Sequence, residues 1–392
     1  MIFKLLIGLF AFSVFGGVLI DQPLGFYDIT DNINAFFVCL CLFLLFIPFN
    51  GTYINRGIVN NTNPLNKKII QVVIFLGFLS LFVNVYILSK SYSYLMSSSL
   101  SIGDYKNLGY GKDMIMNSIN PALRMFSNLF SPLSYICLAL HFYYIINFDR
   151  YKSVFSLFGA LNIAIVPLFY FARGGIFTFC ILYLAMFLLI FRCLSKESRK
   201  QIFKFLLYWV TPVFFVFVII TLDRFESYPY FRSGTLVSNH AVFAVLDYFS
   251  QWLVNGNYLL DNFSQDKILY GSNFTYLPSK LLGIFDISFA NLQELRESVL
   301  LGYENNFNGS ITLLVYDFGY FGALIFCLWY ALFAYYMLRF NSGRSLSFLI
   351  KVSLFLPIPI FFFQGLFTVF GFYNIAIVYG AAFIFSQRLR LG

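Results

Sequence analysis

Long apolar stretches, repeated along the whole chain, set the strictest limit on how this sequence can fold. Crossing the hydrocarbon core of a bilayer takes roughly 17–25 apolar residues. Only 11% of the residues are charged, against about 25% in soluble proteins. The short alternating segments typical of a membrane β-barrel are absent from the sequence. The pattern therefore predicts an all-α, polytopic membrane protein with about ten transmembrane helices, at about 2–20, 33–49, 69–88, 126–146, 153–171, 176–194, 205–222, 310–337, 347–363 and 371–386.

The charged residues predict the orientation of these spans. With the N-terminus in the cytoplasm, the acids of the inner segments are Asp149 and Glu197 alone. The positive-inside rule describes this bias, so we expect both termini to be cytoplasmic. The net charge of +9 is then explained by the membrane topology, and it does not indicate a nucleic-acid partner. The basic residues of the inner segments are Lys4, Arg56, Lys67, Lys68, Arg150, Lys152, Arg192, Lys196, Arg199, Lys200, Lys204, Arg339, Arg344, Lys351, Arg388 and Arg390.

One long polar segment, residues 223–308, interrupts the apolar spans. It divides the chain into seven expected transmembrane helices (1–222), a large external loop (223–309) and three further helices (310–392). Within the loop, apolar residues recur at helical spacing over residues 239–263. This amphipathic helix either packs on the core of the loop itself or lies in the outer membrane interface.

The residue inventory excludes several kinds of chemistry. The two histidines, His141 and His240, are far apart in the sequence, so the chain has no HExxH motif and no run of histidines for a metal. It contains neither a Walker A loop nor a paired-aspartate motif that would hold a metal beside a nucleotide-sugar. We therefore expect no metal and no cofactor.

Three arginines are candidates for binding phosphate at the outer surface. Arg173 stands beside Gly174 and Gly175, where a tight turn would separate two spans. Arg224 and Arg232 follow the seventh span. One guanidinium group can bind two phosphate oxygens at once. The alternative is that these arginines only extend toward lipid headgroups. For Arg173, phosphate binding is favoured over contact with lipid headgroups. For Arg224 and Arg232, the two interpretations are balanced.

The loop and the eighth span hold the other candidates. His240 has the ionisation range of a general base, although a lone histidine in a loop is more often merely solvated. Asp317 would lie about 10 Å along the eighth span. A buried acid there is a functional candidate, but the neighbouring glycines favour a role in helix packing. The last group of candidates would bind a sugar. Those immediately before the eighth helix have the alternative role of capping it. The group is Arg296, Glu304, Asn305, Asn306 and Asn308.

Two stretches resemble one enzyme family. Residues 171–175, Phe-Ala-Arg-Gly-Gly, resemble the arginine-glycine turn of Wzy-type O-antigen and capsule repeat-unit polymerases. Residues 306–322, from an asparagine through Asp-Phe-Gly to a further glycine, resemble a second segment of that family. O-antigen ligases have a similar segment, usually with a histidine at the position of Asn308. The asparagine therefore favours polymerase over ligase.

The resemblance implies a metal-independent glycosyltransferase of GT-C-like architecture in the bacterial inner membrane. Such enzymes transfer a glycan from undecaprenyl diphosphate to a hydroxyl of the next lipid-linked repeat unit, in the synthesis of lipopolysaccharide or capsule. A flippase and a chain-length regulator would be partners, besides the lipid bilayer. The arginines would stabilise the departing diphosphate, and a loop acid or His240 would act as base. A lipid-linked oligosaccharide flippase or other transporter remains the competing class, and would need polar residues in the middle of several spans.

Overall fold

The computed structural model describes residues 2–21, 31–51, 67–98, 119–169, 174–205, 239–269, 309–339, 345–362 and 371–388, and single positions at 207, 208, 211, 215, 237 and 299. These residues form helices and turns, with no strand among them, as expected for an all-α membrane protein. By length and composition, six helical segments can cross a membrane: Ile2–Leu19, Lys67–Ser97, Pro121–Ile146, Arg150–Leu168, Gly174–Cys193 and Ser310–Arg339. Three shorter apolar helices accompany them, at Ile33–Phe49, Leu346–Ile360 and Ile375–Ser386.

The chain forms two compact units, each assembled from separate stretches of sequence. Unit 1 comprises residues 1–51, 231–337 and 357–374, and joins the N-terminus to the long polar segment. Its helices are α1 (Ile2–Asp21), α2 (Asp31–Phe46), α10 (His240–Asp261), α11 (Ser310–Arg339, as far as Met337) and α13 (Pro357–Ile360).

Unit 2 comprises residues 52–230, 338–356 and 375–392, the last of these including most of helix α14 (Gly371–Arg388). Its other helices are α3 (Lys67–Ser98), α4 (Pro121–Phe130), α5 (Ser134–Ile146), α6 (Arg150–Ala160), α7 (Asn162–Leu168), α8 (Gly174–Ile190), α9 (Lys196–Phe205) and α12 (Ser345–Phe355).

Helix α10, which the sequence predicts at residues 239–263, packs against α1. The Ser13 hydroxyl donates to the Phe249 carbonyl over 2.5 Å and accepts the Trp252 indole N–H at 2.6 Å. Ser250 donates in turn to the Ser13 carbonyl, also at 2.6 Å. Gly16 allows this close approach, because a Cβ there would lie 2.5 Å from the Ser250 hydroxyl. The helix is therefore fixed to a helix that can cross a membrane, while Leu259 near its C-terminal end also belongs to a buried cluster with Leu269 and Val299 of the long polar segment.

A buried polar network holds α3, α4 and α7 together in unit 2. The Asn84 amide donates to Asn162 Oδ1 at 2.7 Å and to the Ser131 hydroxyl at 2.8 Å, and its oxygen accepts from Ser127 at 2.6 Å. Asn162 donates to the carbonyls of Gly77 and Gly159, both at 2.9 Å. Hydrogen bonds inside an apolar bundle contribute about 0.6 kcal/mol each on average. The network therefore stabilises the packing of three helices.

Replacement of Asn162 by alanine is expected to destabilise the protein by about 2–4 kcal/mol. The substitution removes several buried hydrogen bonds and leaves the Asn84 amide with an unmet donor. Asn147→Ala is the matched control, because that amide makes a single bond to the Tyr143 carbonyl in the preceding turn. The measurement is the temperature at which the purified full-length protein unfolds in detergent. Equal losses in both variants would contradict the role of the network.

His141, the histidine outside the long loop, is buried in α5. Its Nδ1 lies 3.0 Å from both the carbonyl and the hydroxyl oxygen of Ser153, and its Nε2 lies 3.0 Å from the Tyr183 hydroxyl. Both ring nitrogens are thus engaged within the bundle, where they tie α5 to α6 and α8. These contacts indicate a structural role for His141 in the bundle.

Candidate functional site

Helix α11 is broken at Gly319. The glycine has φ 71° and ψ 172°, while the residues on both sides are helical. This combination is accessible almost only to glycine. The sequence predicts one continuous span over residues 310–337, whereas the structure has two helical segments, residues 310–318 and 320–339.

Gly322 allows the chain to fold back on itself at the break. A Cβ placed on Gly322 would lie only 2.5 Å from the Phe318 Cβ. In an uninterrupted helix, the Cβ atoms of residues four apart are about 5–6 Å from each other. The break therefore brings Phe318 against Gly322. The turn requires glycine at 319 for its backbone conformation and leaves no room for a side chain at 322.

Hydrogen bonds from the long polar segment hold the broken end of the first helical segment. The Tyr316 carbonyl accepts the backbone N–H of Leu269 at 2.8 Å. A carbonyl in the last turn before a break has lost its intrahelical donor, so this bond satisfies it. The Tyr316 hydroxyl donates to the Leu259 carbonyl at 2.6 Å, at the end of α10.

A polar cluster joins α2, α10 and α11 beside the break. The Asn34 amide donates to Asp261 Oδ1 at 3.0 Å, and its oxygen accepts the Tyr320 hydroxyl at 2.8 Å. The Phe263 ring packs edge-on against Tyr320, with ring centroids 5.5 Å apart. We call Asn34, Asp261, Tyr316 and Tyr320, together with Asp317, which follows Tyr316 in the sequence, the break cluster. It comprises two carboxylates, an amide and two hydroxyl groups, all within unit 1.

The two carboxylates of the break cluster have different environments. Asp317, two residues before the break, is 1% exposed. Asp261 is exposed and is the last residue of α10. An acid at a helix C-terminus faces the negative end of the helix dipole, at a cost of about 0.3–1 kcal/mol. The position of Asp261 is therefore unfavourable for the helix, and its bond to Asn34 offsets part of that cost.

A second exposed acid lies close to the cluster in sequence. Asp266 is in a 3-10 turn, Gln265–Lys267, where a hydrogen bond from the Ser264 side chain lowers the pKa of its carboxyl group. The Lys267 ammonium in the same turn donates to the Asn262 carbonyl at 2.8 Å. Two exposed carboxylates there disfavour the binding of a further anion such as a diphosphate.

This arrangement can bind a hydroxyl group and remove its proton. The free oxygen of a carboxylate accepts a hydrogen bond from a hydroxyl, and a positioned carboxylate is a common general base. Asn34 would fix the orientation of Asp261 and leave its second oxygen for such a contact. In the described part of the chain, no three histidine, cysteine, aspartate or glutamate side chains come together as metal ligands.

Substituting alanine for Gly319 is expected to destabilise the protein by about 1–3 kcal/mol. The cost comes from the backbone alone, because the nearest atom to an added Cβ is Ile268 Cδ1, at an ordinary 3.7 Å. Gly8→Ala in α1 is the control, since a Cβ there meets nothing within 4 Å and alanine favours a helix. Thermal unfolding in detergent should show a loss for the first variant and none for the second. An unchanged unfolding temperature for Gly319→Ala would be incompatible with a break at this residue.

Most of the residues proposed from the sequence lie outside the described part of the chain. His240 is the first residue of α10, and Asp317 lies in the break cluster. The others lie outside the described residues: Arg173, Arg224, Arg232, Arg296, Glu304, Asn305, Asn306 and Asn308.

The structure adds four residues that the sequence did not single out, namely Asn34, Asp261, Tyr316 and Tyr320. Asn34 and Asp261 are separated by 227 positions, so no local spacing relates them. Comparison of the chain with protein families, curated proteins and solved structures finds no match.

Proposed function

We propose that this chain is a polymerase that joins lipid-linked oligosaccharide repeat units at the outer face of a bacterial inner membrane. The observation that carries the proposal is the break cluster, where the exposed Asp261 carboxylate is bonded to Asn34 beside the break. The break itself lies within residues 306–322, the stretch that resembles the polymerases. A chain that spans the membrane several times suits a substrate carried on a lipid.

In the proposed reaction, the donor is a glycan on undecaprenyl diphosphate. A hydroxyl of the acceptor repeat unit attacks the first sugar carbon of the donor and forms a new glycosidic C–O bond. The bond from that carbon to the diphosphate oxygen breaks, and undecaprenyl diphosphate leaves. The acceptor proton passes to the Asp261 carboxylate. This carboxylate takes the role that the sequence left open between a loop acid and His240.

The leaving diphosphate requires positive charge, which the break cluster does not provide. Arg173, with Arg224 and Arg232, would supply it, because each guanidinium binds phosphate oxygens with two parallel hydrogen bonds. The donor brings its own leaving group, so the reaction requires neither a nucleotide nor ATP. Arg296, Glu304, Asn305, Asn306 and Asn308 would hold the sugars.

The network of Asn84 and Asn162 bears on the competing transporter class. It places polar side chains inside a helical bundle, as a transport pathway would. The Asn162 amide, however, donates its hydrogens to protein oxygens, and the Asn84 amide donates to two protein oxygens. A network that is satisfied internally fits helix packing better than solute binding.

The test uses the purified full-length protein in liposomes, with lipid-linked repeat units extracted from cells that lack the chain. The expected result is a ladder of glycans that differ by one repeat unit, with release of undecaprenyl diphosphate. Transfer to a lipid A core acceptor without elongation would favour the ligase. Movement of the substrate across the bilayer without bond formation would favour the transporter.

The proposed site requires the long polar segment to lie outside the cytoplasm. We expect a reporter at the exposed Asp266 to give an external signal and a reporter at the C-terminus to give a cytoplasmic one. The reason is the excess of basic residues in the segments assigned to the inside. A cytoplasmic signal from position 266 would separate the break cluster from an external substrate and contradict the proposal.

A further inference from the structure

Helix α9 lies between two apolar stretches. α8 ends at Ile190 and continues into a 3-10 turn, Phe191–Cys193, just before α9 begins at Lys196. Soon after α9 ends, Tyr208 and Phe215 are exposed apolar side chains in the seventh apolar stretch. A ten-residue connector between two such stretches belongs at a membrane surface.

The exposed face of α9 carries a row of lysines with an aromatic ring beside it. Lys196, Lys200 and Lys204 are exposed and recur every four residues, so they align along one side of the helix. Phe203, which projects beside this row, is 67% exposed. Ile202 faces the opposite way and is buried. A basic row next to an exposed aromatic side chain is typical of helices that lie on membranes.

Two contacts fix the orientation of this face. The Arg199 guanidinium lies over the Phe191 ring, 4.3 Å from its centroid, and its Nε donates to the Phe191 carbonyl at 3.2 Å. Ser195 caps the helix by accepting the Ser198 backbone N–H at 3.1 Å. The helix is thus anchored to the end of α8, which leaves the lysine row pointing away from the bundle.

The lysine row has no acidic partner within the described residues. The ion pair that the structure describes is the one between Asp149 and Lys152. Glu197 is the single acid of α9 and is itself exposed. Three lysines spaced about 6 Å apart along the helix axis therefore form a concentrated positive surface.

We propose that α9 binds the anionic phospholipid headgroups of the leaflet at which α8 ends. The ammonium groups would contact headgroup phosphates, while the Phe203 ring would enter the boundary with the acyl chains. This lipid site is independent of the proposed glycan transfer, since it involves unit 2 alone and none of the residues assigned to sugar or diphosphate.

The test measures lipid binding to the purified full-length protein in a neutral detergent, by native mass spectrometry. Phosphatidylglycerol is compared with phosphatidylcholine of the same acyl chains. Each lysine near an anionic surface contributes a roughly fivefold gain in affinity, so Lys196→Gln with Lys200→Gln should weaken phosphatidylglycerol binding about 25-fold. Phosphatidylcholine binding should change little, and added salt should reduce the difference between the two lipids.

Three variants act as controls. Lys90→Gln removes an exposed lysine near the C-terminal end of α3, which is not among the inner basic residues, and should have a much smaller effect. Glu197→Gln removes the acid of α9 and should tighten phosphatidylglycerol binding. Lys196→Arg with Lys200→Arg keeps the charge and should preserve binding. This variant tests the proposal even if the glutamine variant folds poorly.

Several outcomes would overturn the proposal. These are equal binding of both lipids, equal losses in the α9 and α3 variants, or displacement of the lipid by millimolar inorganic phosphate. The last would identify a site for free phosphate rather than a membrane surface. Glycan elongation is not the readout, so failure here would leave the proposed polymerase untouched.

Discussion

Asp261→Asn is expected to leave a folded, membrane-inserted protein that makes single repeat units and no polymer. Asparagine keeps the shape of the side chain but cannot take up the acceptor proton. Loss of a positioned general base lowers a rate by roughly 10²–10⁴. The bond between Asn34 and position 261 can survive, because the asparagine carbonyl still accepts from the Asn34 amide. The measurement is glycan length on a gel, with the amount of protein in the membrane.

Asp266→Asn provides the matched control, because Asp266 is also exposed and lies only a few residues further along the chain. Asn34 is hydrogen-bonded to Asp261 and Tyr320, and Asp266 to Ser264, so normal chain lengths are expected from Asp266→Asn. Long polymer from the Asp261 variant would remove the break cluster from the chemistry. Short chains from both variants would indicate a general effect of negative charge near the site.

The second large effect is expected for Arg173→Ala, which should likewise abolish polymer at normal protein level. A guanidinium at position 173, directly before the start of α8 at Gly174, would stabilise the leaving diphosphate more in the transition state than in the ground state. Loss of a comparable preorganised donor costs roughly 10²–10³ in rate. Arg173→Lys keeps the charge without the paired donors and should be intermediate.

Glycan length again provides the readout for Arg173, with protein level in the membrane as the control for folding. Arg199→Ala is a useful comparison, because the Arg199 guanidinium of α9 lies over the Phe191 ring and has no part in the proposed chemistry. Normal long chains from Arg173→Ala would leave this arginine with the simpler role of contacting lipid headgroups.

The helices could be predicted because burial in a bilayer leaves a long, simple record in the sequence. The stretches at residues 2–20 and 176–194 correspond to α1 and α8 within a few residues. The amphipathic pattern over residues 239–263 likewise predicted α10. In each case, apolar residues recur within the element itself, so local spacing contains the information.

The break cluster could not be predicted in the same way. Gly319 within an apolar stretch looks like a residue for close helix packing, since glycine is common in membrane helices. The break is recognisable only with its tertiary partner, the Leu269 N–H that satisfies the Tyr316 carbonyl. Asn34 pairs with Asp261 from the far end of the chain. Such contacts depend on the packing of distant segments.

The break at Gly319 also determines how α11 fits a bilayer. A straight helix over its 30 residues would be about 45 Å long, well beyond a hydrocarbon core of about 30 Å. Residues 320–339 alone extend about 30 Å and match that thickness without tilt. Asp317 then precedes the matched segment rather than lying 10 Å inside it. The break thus divides α11 into a segment of bilayer length and a protein-packed entry segment, so that its one carboxylate need not be transferred into hydrocarbon.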